Sequence, residues 1–332
     1  MKSRTPSRSV LASAARSITV RRRIVDDIAC TPVLKSCAEQ PAETELYFKA
    51  ENFQTTGSFK LRGAMARLTS LPLDRPIITA SSGNHGIACS HAARITGHKL
   101  TVVLPETVNP AKLAKVESFG TEVILHGAES GLAETHAQQL AASGRYEYVS
   151  PYNDLEVIAG QGTIGLELLE QLRHFDNIFI AMGGGGLISG IGSVLKSFLP
   201  QCRIIGVSAT NSAALAASMA ANKVVETQHF DTLADGIAGG LDEGSITLAL
   251  ACEVIDRVVY CSEQEIAAAL NSLAWTEKQI VEGAAGLALA GCLATQDDYA
   301  GQVNVVLLCG ANFDKAALLA AITTDRSCEE DR

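Results

Sequence analysis

The sequence predicts an α/β fold whose largely parallel sheets are covered by helices, and three observations predict it. Short β-rich runs alternate with Ala- and Leu-rich helical patterns along the 332 residues. Most of these runs are continuously apolar, as strands buried on both faces of a parallel sheet are. Three run-to-loop junctions carry unusual glycine or polar content, and open α/β sheets bind ligands at the carboxyl ends of their strands.

Residues 1 to 23 contain Lys2, Arg4, Arg8, Arg16, Arg21, Arg22 and Arg23, several serines and no acid. That composition formally resembles an organelle transit peptide. The competing reading is a flexible tail over residues 1–17 followed by a first amphipathic helix around VRRRIVDDIA. Strands are then expected at ELYFKA, PIITAS, KLTVVLP, EVILHG, NIFIAMG, RIIGVSA, RVVYCS and VNVVLLCG. The glycine-rich or polar junctions are TASSGNHGIA (79–88), AMGGGGLISG (181–190) and LLCGANFD (307–314), so a site is expected to be assembled from distant parts of the chain.

A hydrophobic content of 47% supplies a substantial core for one large or two medium domains. No run of 18 apolar residues occurs, so no membrane span is expected. The net charge of −9, with no long basic run after residue 23, argues against a nucleic-acid surface. Partners are therefore expected to be small molecules. Nine cysteines, at 30, 37, 89, 202, 252, 261, 292, 309 and 328, form no CxxC pair, a pattern of reduced thiols in a cytoplasmic setting.

Gly183, Gly184, Gly185 and Gly186 follow a strand and open a helical pattern. Without β-carbons such a loop can turn its amides inward around an anion, and the following helix adds its positive end. A dinucleotide site would also require an acid near the end of the next strand, yet no Asp or Glu occurs from Asn177 through Val225. One isolated phosphate fits better than a nicotinamide dinucleotide; close strand-to-helix packing is the purely structural alternative. No GxxxxGK[ST] motif is present.

Lys60, in ENFQTTGSFKLRGA, follows a Gly57–Ser58 turn and precedes the helical pattern LRGAMARL. Phe59, Leu61 and Ala64 give it apolar neighbours, and burial favours the neutral, nucleophilic amine. A lone lysine at a helix start is more often a solvated surface residue.

The ordered set ENFQTTGSFKLRGA, SSGNHGIA, VIAGQGTIGLEL, GGGGLISG, TLADGIA, EGAAGLALA and LLCGANFD resembles the fold-type II pyridoxal phosphate enzymes, specifically the threonine dehydratase and serine racemase group, from about Cys30 to Leu319. The resemblance implies a fold like the tryptophan synthase β subunit, with the active site between two α/β domains. Residues 18–63 and 151–332 would form the large cofactor-binding domain, and 64–150 the small substrate-binding domain. By the same resemblance Lys60 carries pyridoxal 5'-phosphate as a Schiff base, Phe59 packs beside its ring and Asn84 bonds its phenolic oxygen. Gly183, Gly184, Gly185, Gly186 and Leu187 cradle the phosphate, Gly236 lies against the ring edge, and Cys309 sits next to the pyridine nitrogen. The backbone from Ser81 and Ser82 through Gly83 and Asn84 to His85 receives the substrate carboxylate. A homodimer is implied by analogy.

Expected chemistry is β-elimination from a β-hydroxy amino acid of the threonine or serine type, yielding a 2-oxo acid and ammonia, with Lys60 moving the α-proton. A thiol at Cys309, in place of a carboxylate, favours reactions that discharge the carbanion quickly. Ser82 matches the opposite-face acid/base of serine racemases; its structural alternative is loop hydrogen bonding. The group's divalent cation is not expected, because Ser208 stands where an acid would be. The chain ends soon after LLCGANFD, leaving no room for a regulatory domain, so isoleucine feedback is not expected. Differences after LADG, with Tyr152 and Asn153 near the substrate side chain, point to alternatives: hydroxyaspartate, phenylserine, an intermediate of hydroxyectoine breakdown, or serine racemisation. A non-catalytic amino-acid binding protein on this fold is the remaining alternative.

Overall fold

The computed structural model describes residues 5–323. Ten strands form two sheets: β1 (Val33–Lys35), β2 (Glu45–Ala50), β3 (Ile77–Ala80), β4 (Leu100–Leu104), β5 (Glu122–Leu125), β6 (Glu147–Tyr148), β7 (Asn177–Ala181), β8 (Arg203–Ala209), β9 (Arg257–Cys261) and β10 (Val303–Leu308). The six-stranded sheet has the order β1-β2-β10-β7-β8-β9, and the four-stranded sheet β5-β4-β3-β6. All pairings are parallel except β1 with β2. Each of the eight anticipated runs contains one of these strands. The two short ones, β1 and β6, lack the apolar length that marks a strand in sequence.

Seven helices matter to the cleft: α1 (Arg8–Ile24), α2 (Lys60–Leu68), α3 (Asn84–Thr96), α4 (Pro110–Glu117), α5 (Ser130–Ala142), α6 (Leu155–Gln171) and α7 (Gly186–Phe198). Helix α1 begins at Arg8, well before the expected first helix, and thus corrects the flexible tail expected over residues 1–17; residues 1–4 lie outside the described residues. Val10, Ser13, Ala14, Ser17, Val20 and Ile24 give it a buried face at helical spacing. Arg16 and Arg23 pair with Glu156, and Arg21 with Glu170, both on α6. The arginines that lend the segment its transit-peptide composition thus hold α1 against the fold.

A buried ionic lattice locks α2. Arg62 donates from Nε to Glu51 Oε2 (2.8 Å), from Nη2 to Glu51 Oε1 (2.8 Å), and from Nη1 to Glu167 Oε1 (2.6 Å). Lys49 Nζ donates to Glu167 Oε2 (2.6 Å) and to the carbonyl of Thr31 (2.7 Å). Two cations and two carboxylates therefore balance out of contact with water. Burial opposes the charge on Arg62, but Glu51 and Glu167 outweigh it and hold the guanidinium above its ordinary range. Burial likewise opposes the charge on Glu167, yet Arg62 and Lys49 bring its carboxyl below the usual range. Among the described residues, no helix is long and apolar enough to cross a membrane.

Replacing Arg62 by Met would leave Glu51 without its cation and Glu167 with only Lys49. The unfolding free energy should fall by about 3–5 kcal/mol, the cost of breaking a buried pair from one side. Urea denaturation of wild type and R62M measures it.

Candidate active site

The carboxyl ends of β3, β7 and β10 open onto one cleft of about 610 Å³. Phe59, Lys60, Ser81, Ser82, Gly83, Asn84, His85, Gly183, Gly184, Gly185, Gly186, Leu187, Gly236 and Cys309 all line it. These expected site residues are therefore brought to a single place, whereas Asn153 does not line the cleft and instead bonds Asp242. Tyr152 lines the same cleft.

Lys60 is the first residue of α2, and its Nζ donates to the carbonyl of Pro151 (2.9 Å). Burial pulls its amine down to about 8, against smaller opposing pulls from Cys89, Cys309 and Glu282. At pH 7 about one molecule in ten then carries the neutral amine, against fewer than about one in a thousand for an ordinary lysine. The Phe59 ring centroid lies 5.3 Å from Nζ. Phe59 N–H donates to the carbonyl of Cys309 (3.0 Å), and Ala311 N–H to that of Gly57 (2.8 Å), so the lysine turn is stitched to the end of β10.

Two loops present free amides. Among the described residues, the N–H groups of Gly183 through Leu187 donate to no acceptor in the chain, and they sit at the start of α7. A methyl group at Gly184 would come within 2.4 Å of the Tyr152 ring, so only glycine lets the loop lie there. Helix α3 supplies the second set: the amides of Ser82, Asn84 and His85 also lack acceptors in the chain. There Gly86 allows the carbonyl of Ser81 to approach, since a methyl group would meet that oxygen at 1.8 Å. Both sets are built for anions.

The two serines of SSGNH differ. Ser81 Oγ accepts from Gly83 N–H (3.2 Å), which is the loop-bonding role. Ser82, half-buried in the cleft, makes no hydrogen bond with any described residue through its hydroxyl. His85 is spent structurally: its Nε2 lies 3.1 Å from the Val149 carbonyl, and burial brings its ring down to about 3, so it is neutral. Burial pushes the Cys309 thiol well up, keeping it protonated. Gly236 lies 3.6 Å, measured from the position of a β-carbon, from Glu282 Oε1.

Glu282 is the residue that sequence reasoning missed. Asn84 Nδ2 donates to both of its oxygens (2.9 Å each), Asn312 N–H donates to Oε2 (3.2 Å), and Cys309 Sγ lies 3.7 Å from Oε1. Asn84 Oδ1 in turn accepts from Asn312 Nδ2 (2.7 Å). Burial raises the carboxyl to about 7, against the pull of Asn84. The environment of Cys309 is thus a thiol beside a carboxyl that is partly protonated at neutral pH. An acid standing just before the apolar helix Gly283–Ala294 was the available signal. Ser208 is buried with its Oγ unbonded, and among the described residues no three His, Cys, Asp or Glu side chains gather as metal ligands would.

Known proteins resemble this chain in sequence and fold. A family model described as pyridoxal-phosphate dependent enzyme matches residues 24–310. An L-threonine ammonia-lyase of Geobacter sulfurreducens is 39% identical over 273 residues, covering 81% of this chain and 67% of that protein. A catabolic L-threonine dehydratase of Escherichia coli K12 is 36% identical over 275 residues, 81% of this chain and 83% of its own length. Among solved structures, the processed form of threonine deaminase isoform 2 from Solanum lycopersicum superposes with a TM-score of 0.87 at 30% identity, covering 95% of this chain and 93% of that one. Serine racemase from Dictyostelium discoideum gives 0.82 at 32% identity, covering 91% and 98%.

The lowered amine of Lys60 is directly measurable in the protein without added ligand. Competitive acylation read by mass spectrometry should give the Lys60 peptide a half-maximal reactivity near pH 8. Surface lysines should titrate at about 10.4.

Proposed function

The chain belongs to the pyridoxal-phosphate dependent enzyme family, and from that premise we propose that it is an ammonia-lyase that converts a β-hydroxy amino acid of the threonine or serine type to a 2-oxo acid and ammonia. The observation that carries the reading is the neutral-leaning amine of Lys60, set in one cleft with two separate groups of unpartnered amides. The relatives named as threonine ammonia-lyase and dehydratase support the substrate class.

The residues present fit the cofactor. The orphan amides from Gly183 to Leu187 match a phosphate, the amine of Lys60 an aldehyde, and Phe59 a flat ring. When bound, pyridoxal phosphate supplies an electron sink for bond breaking at the substrate α-carbon. The amides of Ser82, Asn84 and His85, at the positive end of α3, hold and orient the substrate carboxylate. Lys60 takes the proton from the α-carbon, a task for which its lowered affinity for protons near neutrality is suited. The β-hydroxyl gains a proton and leaves as water, which balances the proton Lys60 takes from the α-carbon, and the released enamino acid takes up water and loses ammonia. Glu282 holds Asn84 and Cys309 in place, and its own proton limits the negative charge next to the developing carbanion. Ser82, with its hydroxyl free, is the second group able to exchange a proton at the α-carbon, which leaves room for action on a D-substrate.

Protein incubated with pyridoxal phosphate should turn yellow and, after borohydride reduction, carry the added mass on the Lys60 peptide. K60A should lack the Schiff-base band and the borohydride-fixed mass and release no ammonia. Colourless wild-type protein would sink the proposal. Chiral analysis with L- and D-serine should show any D-directed activity disappearing in S82A, at a loss of about 10²-fold or more for one removed proton-transfer group.

A further inference from the structure

Of the carboxylates that line the cleft, Glu134, Asp235 and Asp242 have no part in the chemistry above, and Asp235 already has Lys112 beside it. Glu134, on α5, is half-buried; its Oε1 accepts from Tyr148 Oη (2.9 Å), and its Oε2 has no partner among the described residues. Asp242 is held by Asn153, whose Nδ2 donates to Oδ2 (3.1 Å), and by its own N–H, which donates to Tyr152 Oη (2.7 Å). Both line the same cavity as Lys60. Burial raises the Glu134 carboxyl; the Tyr148 hydrogen bond opposes this, the charge of Asp242 adds to it, and Lys60 offsets it least. Lys112, the other lysine lining the cavity, lies 3.9 Å from Asp235. Among the described residues, neither Glu134 nor Asp242 makes an ion pair.

The placement of the substrate leaves one part of it free. Its carboxylate is claimed by the α3 amides and its reacting amine by the Lys60 end of the cleft. The wall made by Glu134, Tyr152 and Asp242 is left to the side chain. A half-buried carboxylate with an open acceptor oxygen favours a charged donor and disfavours a second anion. We infer that Glu134 and Asp242 select a β-hydroxy amino acid whose side chain ends in a cationic nitrogen; this rests on the dehydratase reading of the same cleft. Among the substrates weighed from sequence, it sets the chain against hydroxyaspartate.

The test is ammonia release by the cofactor-loaded enzyme from serine, threonine, 3-hydroxyaspartate, 3-hydroxyornithine and Nδ-acetyl-3-hydroxyornithine, in each available configuration. The amine-ended compound should exceed its acetylated form in kcat/KM by at least about tenfold, and E134Q and D242N should each reduce that ratio severalfold or more. Equal rates for the two forms, or a preference for 3-hydroxyaspartate, would overturn the inference while leaving the dehydratase reading in place. An unchanged ratio in both variants would overturn the assignment to these residues. Release of ammonia from none of the compounds would overturn both readings. The wild-type comparison decides the matter even where a variant folds poorly.

Discussion

The position of Lys60 depends on Arg62. Two residues into the same helix, its guanidinium is gripped from one side by Glu51 and from the other by Glu167, which Lys49 also neutralises. Four charges without water are costly to bury, and hydrophobic replacements of similar volume can be as stable. What the lattice supplies is direction. A guanidinium bonded bidentately to one carboxylate and again to another has little angular freedom, so α2 is fixed in rotation against α6 and β2. The amine at the start of that helix is then aimed at Pro151 and the cleft by contacts that never touch the substrate.

Few fixed charges stand on the Glu282 side of that amine. His85 is neutral, Cys89 and Cys309 keep their protons, and Glu282 sits near the middle of its titration at pH 7. With fixed charges so few on that side, the oriented amides of two loops become strong local sources of positive potential. Amide dipoles held by backbone geometry need no reorganisation as charge develops on a ligand, which is the condition for electrostatic preorganisation. The glycines at positions 86 and 184 serve this end, since each permits a backbone approach that a side chain would block.

Much of this was legible in the sequence, and for physical reasons. Strands buried on both faces must be apolar throughout, so the eight long runs stood out, and the junctions at Ser81, Gly183 and Cys309 marked the strand ends that form the cleft. Strand β1 and the two-residue β6 are held by pairing with neighbours and have no pattern of their own. Helix α1 was hidden because composition at the start of the chain reads as a tail, whereas its arginines find Glu156 and Glu170 at separations of 133, 140 and 149 positions. Glu282 was passed over because its partners, Asn84, Cys309 and Asn312, come from segments separated by long stretches of chain. Tertiary polar contacts of that kind leave no periodic trace.

The same separation explains how the reaction and the substrate can be specified independently. The amine, its aiming lattice and the two amide loops lie on the ends of buried strands and on helices packed against them, where a change of one atom is felt across the core. Glu134, by contrast, stands on α5, most of which is exposed, and Asp242 stands on a segment without regular structure between residue 237 and the helix Ile246–Val254. Each is anchored by a tyrosine or an asparagine at the edge of the cleft rather than by the ionic lattice. Residues there can be exchanged at little cost in stability. On the proposed reading of the cleft, proton transfer at the α-carbon stays constant while the wall facing the side chain decides which amino acid enters.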